Sequence, residues 1–164
     1  MYAPAVAQTG DAQGYGEFLR LDRAESLRLL GTAQVGRLIF TVNALPAVRL
    51  MNFAVADGLI VVRTAAGTTV ARKVDDAIVA FEADDLDVAT SSGWSVVVTG
   101  RATRVSDPDL IARYRNVPLM PWAAGERDQF LTITMEMLEG RRVSRMAGPG
   151  ELGATRVASH LSQS

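Results

Sequence analysis

Between Val35 and Arg145 the chain is a succession of short runs rich in β-branched and aromatic residues, each closed by turn residues. That pattern limits the fold more than any other feature. Residues 35–42, 47–55, 59–64, 77–83 and 95–105 have the length and composition of strands, and 128–134 and 140–145 read as closing strands. Asn43-Ala44-Leu45-Pro46 and Asp57-Gly58 separate the first three as hairpin turns do, so the body starts as an antiparallel meander. A meander this long must cover its edges, and only closure removes them. The expected fold is therefore mainly β, a small closed or half-closed barrel of about six strands with few helices.

Two helices are expected around these strands. Asp22 and Glu25 stand at capping-box spacing ahead of Leu27, Leu29 and Leu30, which predicts a helix over 23–32. Asp107-Pro108 starts a second one through Arg115, and Pro118 and Pro121 prevent its continuation. Asp84, Asp85 and Asp87 lack the glycine and glutamate of a calcium loop and read as a solvated turn between strands. Residues 1–17 and 147–164 carry no periodicity and are expected to be disordered, which leaves one folded domain over 18–146.

Composition removes whole classes of chemistry. With 164 residues, 48% hydrophobic, the chain can bury a core without metal or disulfide support. The absence of cysteine excludes thiol nucleophiles, thiolate metal sites and iron–sulfur clusters, so any redox chemistry requires a cofactor. The single histidine, His160, lies in the polar C-terminal stretch, which argues against a Ser-His-Asp site or a histidine metal cage. A net charge of −1 without a basic stripe argues against nucleic acid as a partner. No apolar run is long enough for a membrane span, so the expectation is a cytoplasmic protein with no membrane association.

One segment carries the mark of a ligand. Arg63-Thr64-Ala65-Ala66-Gly67-Thr68-Thr69-Val70-Ala71-Arg72-Lys73 follows a strand and leads into a short helix. It gathers a guanidinium, three hydroxyls and a helix start around one glycine, a set of groups suited to phosphate.

Together with the opening helix, Val35-Gly36-Arg37-Leu38, Leu45-Pro46-Ala47-Val48 and Gly93-Trp94-Ser95-Val96-Val97-Val98-Thr99-Gly100-Arg101-Ala102, this segment resembles the pyridoxamine 5′-phosphate oxidase-like family of FMN-binding split barrels. The resemblance runs from Leu21 to Arg142. It implies a six-stranded antiparallel, Greek-key-like barrel, paired as a homodimer, that binds FMN in clefts at the subunit interface. Some branches of that family hold a deazaflavin or haem instead. A small-molecule substrate and oxidoreductase activity are implied with it, and a non-catalytic binding or sensing protein is the alternative of another class.

Carried over residue by residue, the resemblance assigns the flavin phosphate to Arg63, Thr64, Thr68 and Thr69, with Lys73 or Arg72 reaching in from one turn further along. It assigns the ring to the strand segment Met51, Asn52 and Phe53, and gives Trp94 and Ser95 to the cofactor held mainly by the partner subunit. Two departures stand out: Thr69 occupies a position where many relatives have lysine, and Leu50 one where relatives often have proline. The loop from Pro121 to Asp128 is expected to cover the substrate side. Gly140-Arg141-Arg142-Val143 lacks the arginine–histidine pair used on pyridoxine phosphates, so vitamin B6 oxidation is not expected.

Overall fold

The computed structural model describes residues 17–119 and 128–144. The element order is β1 (Glu17–Leu21), α1 (Arg23–Leu30), β2 (Val35–Val42), β3 (Leu45–Ala56), β4 (Leu59–Thr64), α2 (Thr69–Lys73), β5 (Ala77–Asp87), β6 (Ser92–Arg104), α3 (Pro108–Arg115), β7 (Gln129–Ile133) and β8 (Met137–Ser144). The strands run in the order β1-β8-β6-β5-β2-β3-β4-β7, and a further β6–β7 pairing brings the last strand back to β6. Strands β6, β5, β2, β3, β4 and β7 thus form a closed antiparallel barrel, with β8 and β1 continuing off it as a flap.

β6 is the strand that splits. Over Gly93 to Thr99 it pairs with β8, whereas over Ala102 to Arg104 it pairs with β7. At the fork the β7–β8 connection crosses close to the backbone: the Thr134 amide donates to the Arg101 carbonyl at 3.0 Å, and the Thr134 hydroxyl accepts from the Arg101 amide at 2.8 Å. Gly100 is required there, because a Cβ would collide with the Thr134 carbonyl oxygen.

Inside the barrel, alternate residues of every strand meet in one cluster that includes Leu38, Phe53, Ile60, Val62, Phe81, Val96, Val98 and Ile133. Phe53 and Phe81 stack edge-on with centroids 4.8 Å apart. A second cluster of Val61, Tyr114, Leu119 and Phe130 lies on the other face of β4 and β7, beneath α3. Burial holds the Tyr114 phenol above its usual pKa.

Helix α1 forms the N-cap half of the expected capping box, with the Glu25 amide donating to Asp22 Oδ1 at 2.8 Å, while the Glu25 side chain turns to arginines instead. The Glu25 carboxylate accepts from Arg28 at 2.7 Å and from Arg142 of β8 at 2.8 Å, which ties the helix to the flap.

Three expectations change. The chain opens on a strand, β1, paired with β8 from Glu17↔Ser144 to Leu21↔Gly140, where a helix was the first element expected. Leu45 and Pro46 belong to β3: the turn needs only Asn43 (φ 52°) and Ala44 (φ 62°), a two-residue reversal with both φ positive that matches strand twist. Asp84, Asp85 and Asp87 lie within β5, not in a turn, because that strand continues beside β6 as far as Asp87↔Ser92. A cross-strand partner outweighs the low β propensity of aspartate there.

Replacing Gly100 with Ala is expected to destabilise the protein by about 1–3 kcal/mol or more, read as a lower urea midpoint, because the displaced atoms are backbone and cannot rotate away. Hydrogen bonding from Arg28, reinforced by Arg142, lowers the Glu25 pKa from 4.5 to about 2. A carboxylate depressed in the folded state contributes stability that is present above its unfolded value and lost as pH falls through the folded one. The melting temperature of the wild type relative to Glu25→Gln is therefore expected to shrink between about pH 4.5 and 2. An equal gap between the two proteins throughout that interval would contradict this origin.

Candidate functional site

Strand β3 changes partners along its length. It pairs with β2 from Leu45 to Asn52 and with β4 only from Phe53 to Ala56, so among the described residues its β4-side edge has no strand partner over residues 45–51. Continuing the β3–β4 register one step past Phe53↔Val62 sets Arg63 beside Asn52, and a second step sets Thr64 beside Met51. The predicted ring-binding and phosphate-binding segments therefore meet at one end of the barrel, next to a bared main-chain edge.

Strand alternation then divides these residues between two faces. Met51 and Phe53 point into the core at 7% and 2% exposure. From this strand a ligand can reach the main chain and Asn52, not those two side chains. Asn52 lies half-buried on the outer face, its Nδ2 donating to the Gln34 carbonyl at 3.5 Å. Arg63 lies on the same face, where its guanidinium sits 5.5 Å from the centroid of Phe130, its cross-strand neighbour. Arg63 Nη2 is 3.6 Å from Asp128 Oδ1.

The hydroxyls form a brace on the inner side. Thr64 is buried, and its Oγ1 lies 3.0 Å from Thr68 Oγ1. Thr68 Oγ1 donates to the Ala65 carbonyl at 3.0 Å and accepts from the Ala71 amide at 3.2 Å as the N-cap of α2. A hydroxyl has one proton, so Thr64 must be the donor to Thr68. In this arrangement both protons are engaged within the turn, and the Thr69 and Val70 amides, in the first turn of α2, have no acceptor within the helix. Gly67, at φ 74°, makes the reversal before that turn, and Arg72 fastens it by donating to the Gly67 carbonyl at 2.6 Å. Lys73 is exposed, one turn beyond Thr69.

Trp94 and Ser95 stand apart from this group. They pair with Asp85 and Asp84 of β5, and Trp94, 8% exposed, helps to line a cavity of about 270 Å³ with Thr32, Ala33, Gln34, Val35 and both aspartates. Gln34 is the link between the two regions: its carbonyl accepts from the Phe53 amide at 3.1 Å and from Asn52, and the residue also borders the Trp94 cavity.

Two residues at the site, Gln129 and Phe130, were not singled out by sequence, and Asp128 entered as the end of the expected covering loop. Phe130 seats Arg63, and Asp128 faces it. Gln129, opposite Thr64, holds a buried Oε1 with no hydrogen-bond partner. Only the β4–β7 pairing shows them, since more than sixty residues of chain separate them from Arg63. The expected covering loop falls on residues 121–127, outside the described residues, except for Asp128. Among the described residues no His, Cys, Asp or Glu cluster could hold a metal ion, and no helix is long and apolar enough to cross a membrane.

A six-stranded barrel whose longest strand forks to serve a flap is a split barrel, and comparison with known proteins agrees. The family model described as pyridoxamine 5′-phosphate oxidase matches residues 22–146, and the chain belongs to that family. It is 45% identical over 136 residues to the uncharacterized protein Rv0080 of Mycobacterium tuberculosis, covering 80% of this chain and 89% of that protein. Among solved structures it resembles the FAD binding protein from Mycobacterium smegmatis, with 31% identity, a TM-score of 0.66 and coverage of 77% of this chain and 98% of that one. The FAD and heme binding protein from Mycobacterium smegmatis shares the fold, with 12% identity, a TM-score of 0.61 and coverage of 81% and 78%.

Thr68→Ala removes the cap of α2 and the acceptor for Thr64 together, so a loss of about 1–2 kcal/mol in urea unfolding is expected. Thr68→Ser keeps the hydroxyl and should recover most of it. A Ser variant as unstable as the Ala variant would mean that the methyl group matters rather than the brace.

Proposed function

We propose that the protein is a flavoprotein oxidoreductase that binds FMN across a homodimer interface and exchanges electrons with a small organic acceptor. The observation that carries this reading is the bared edge of β3, which runs beside Asn52 and the Phe130-seated Arg63 on the outer face of the barrel. A flavin needs a flat apolar contact, a few fixed polar groups at the ring's rim, and a cation for its phosphate. Those requirements fit the groups present here. The bound ring would supply the hydride chemistry, and the chain would supply orientation and charge. Arg63 would hold the phosphate with the Thr69 and Val70 amides, and Asn52 with the β3 main chain would face the polar rim of the ring.

The same outer face supports pairing with a second copy. Val48, Leu50, Ile78, Val97 and Met137 are exposed on it at 50%, 64%, 54%, 36% and 57%, around a polar centre where Arg37 pairs with Glu82 and Asp84 at 2.7 Å each. Burial raises the Glu82 pKa, against the pull of Arg37. An apolar face with a neutralised ionic centre suits a self-complementary interface. Pairing there would cover Leu50, which borders the site, and bring a partner's Trp94 region to it.

FAD is a second reading, favoured by the FAD binding protein of Mycobacterium smegmatis to which the chain is 31% identical. Titrations with FMN, FAD and riboflavin separate the two: FMN tightest supports the first reading, FAD tightest the second, and no binding of any flavin overturns both. Arg63→Ala is expected to weaken FMN by an order of magnitude or more, the loss of a charge-assisted contact of about 1.5–3 kcal/mol, with riboflavin unchanged. Sedimentation of the wild type should give a dimer, and Leu50→Glu should give a monomer with weakened flavin binding. A wild-type monomer at micromolar concentration would overturn the shared cleft.

A further inference from the structure

We propose that Asp128 is a built-in competitor for the anion-binding position of Arg63, so that a phosphorylated flavin binds by displacing it and remains exchangeable. The inference rests on the preceding assignment of Arg63 to the flavin phosphate and adds a specificity-determining residue to that site.

The geometry separates a seated partner from a displaceable one. The Arg63 side chain is 27% exposed and is held over Phe130 at 5.5 Å, whereas that of Asp128 is 63% exposed, on the residue just before β7. Their closest approach, 3.6 Å, is longer than a charge-assisted hydrogen bond, which for N–H to carboxylate oxygen spans about 2.7–2.9 Å. An exposed pair of this kind contributes little to folding and is screened by salt. The carboxylate therefore sits near the guanidinium without locking onto it, and a phosphate with two or three acceptor oxygens replaces it readily.

The rest of the cradle makes this competition consequential. Thr69 adds no charge, and the Thr64 and Thr68 protons are engaged inside the turn. Arg63 therefore carries a large share of the charge available to an anion, and a carboxylate beside it both offsets that charge and repels the incoming phosphate. The chemical class concerned is a phosphomonoester on a planar ring system; the phosphate-free ring compound lies outside the effect.

The test is a titration of the full chain with FMN and riboflavin, for wild type, Asp128→Asn and Arg63→Ala. Asparagine keeps the shape and removes the charge at an exposed position, so folding should be unaffected. Asp128→Asn is expected to bind FMN about five- to tenfold more tightly at low salt, with riboflavin unchanged and the gain reduced in high salt. An unchanged or weaker FMN affinity in Asp128→Asn, alongside a clear loss in Arg63→Ala, would overturn the competition while leaving the cofactor assignment standing. An equal gain for riboflavin would also overturn it, since the effect would then not pass through the phosphate. If Arg63→Ala binds FMN as well as wild type does, the assignment of Arg63 itself fails, and the competition with it. Asp128→Ser serves as a second neutral variant and should show the same gain.

Discussion

The close crossing of the Gly100 backbone by Thr134 is the contact on which the rest of the architecture depends. A strand has two edges, and β6 must serve three neighbours: β5 from Ser92 to Ala102, then β8 and β7 in turn along the other edge. That is possible only if the chain leaving β7 crosses β6 at one point and returns as β8. The crossing brings two backbones closer than any side chain allows, and the Arg101 and Thr134 groups satisfy each other there. Because of that exchange β7 closes the barrel against β4, and that closure sets Phe130 opposite Arg63. A local steric requirement at a glycine thus fixes the position of a charged group on the far side of β4.

Much of the barrel is legible in the sequence because its strands obey simple alternation. Residues 35–42 and 59–64 coincide with β2 and β4, and the Asp22 cap and Pro108 start place both longer helices. What is not legible has a common cause, namely that pairing partners distant in sequence override local preference. Phe18 and Leu19 are exposed at 73% and 45%, so β1 carries no burial pattern, and it becomes a strand only because β8 lies beside it. The aspartates of β5 are drawn into the ladder in the same way by β6. Pro46 is tolerated in β3 because that stretch faces no β4 partner that would require its missing N–H.

The candidate site was legible as a list of residues and not as an arrangement. Sequence places Arg63 and the threonines together, yet successive residues of a strand face opposite ways, so Arg63 goes outward while Thr64 turns inward to Thr68. The nearness of Asn52 to Arg63 follows from the β3–β4 register and from nothing in the linear order. Asp128, Gln129 and Phe130 are still further removed, since they arrive through β7.

This division of faces also explains how a small barrel can recognise a ligand when its interior is filled. Among the described residues, the core side of β3 and β4 is packed by Met51, Phe53 and Val62 and closed by the threonine brace. The proposed recognition uses the outer side, where a bared strand edge, a seated guanidinium and exposed apolar residues lie side by side. An open surface of that kind binds a planar ligand weakly on its own, because it removes water from one side of the ring only. Covering the other side requires a second surface, and the apolar outer face around Val48 and Leu50 is where such a surface would fit. The one-sided exposure is thus what the proposed ligand and the proposed partner copy would each relieve.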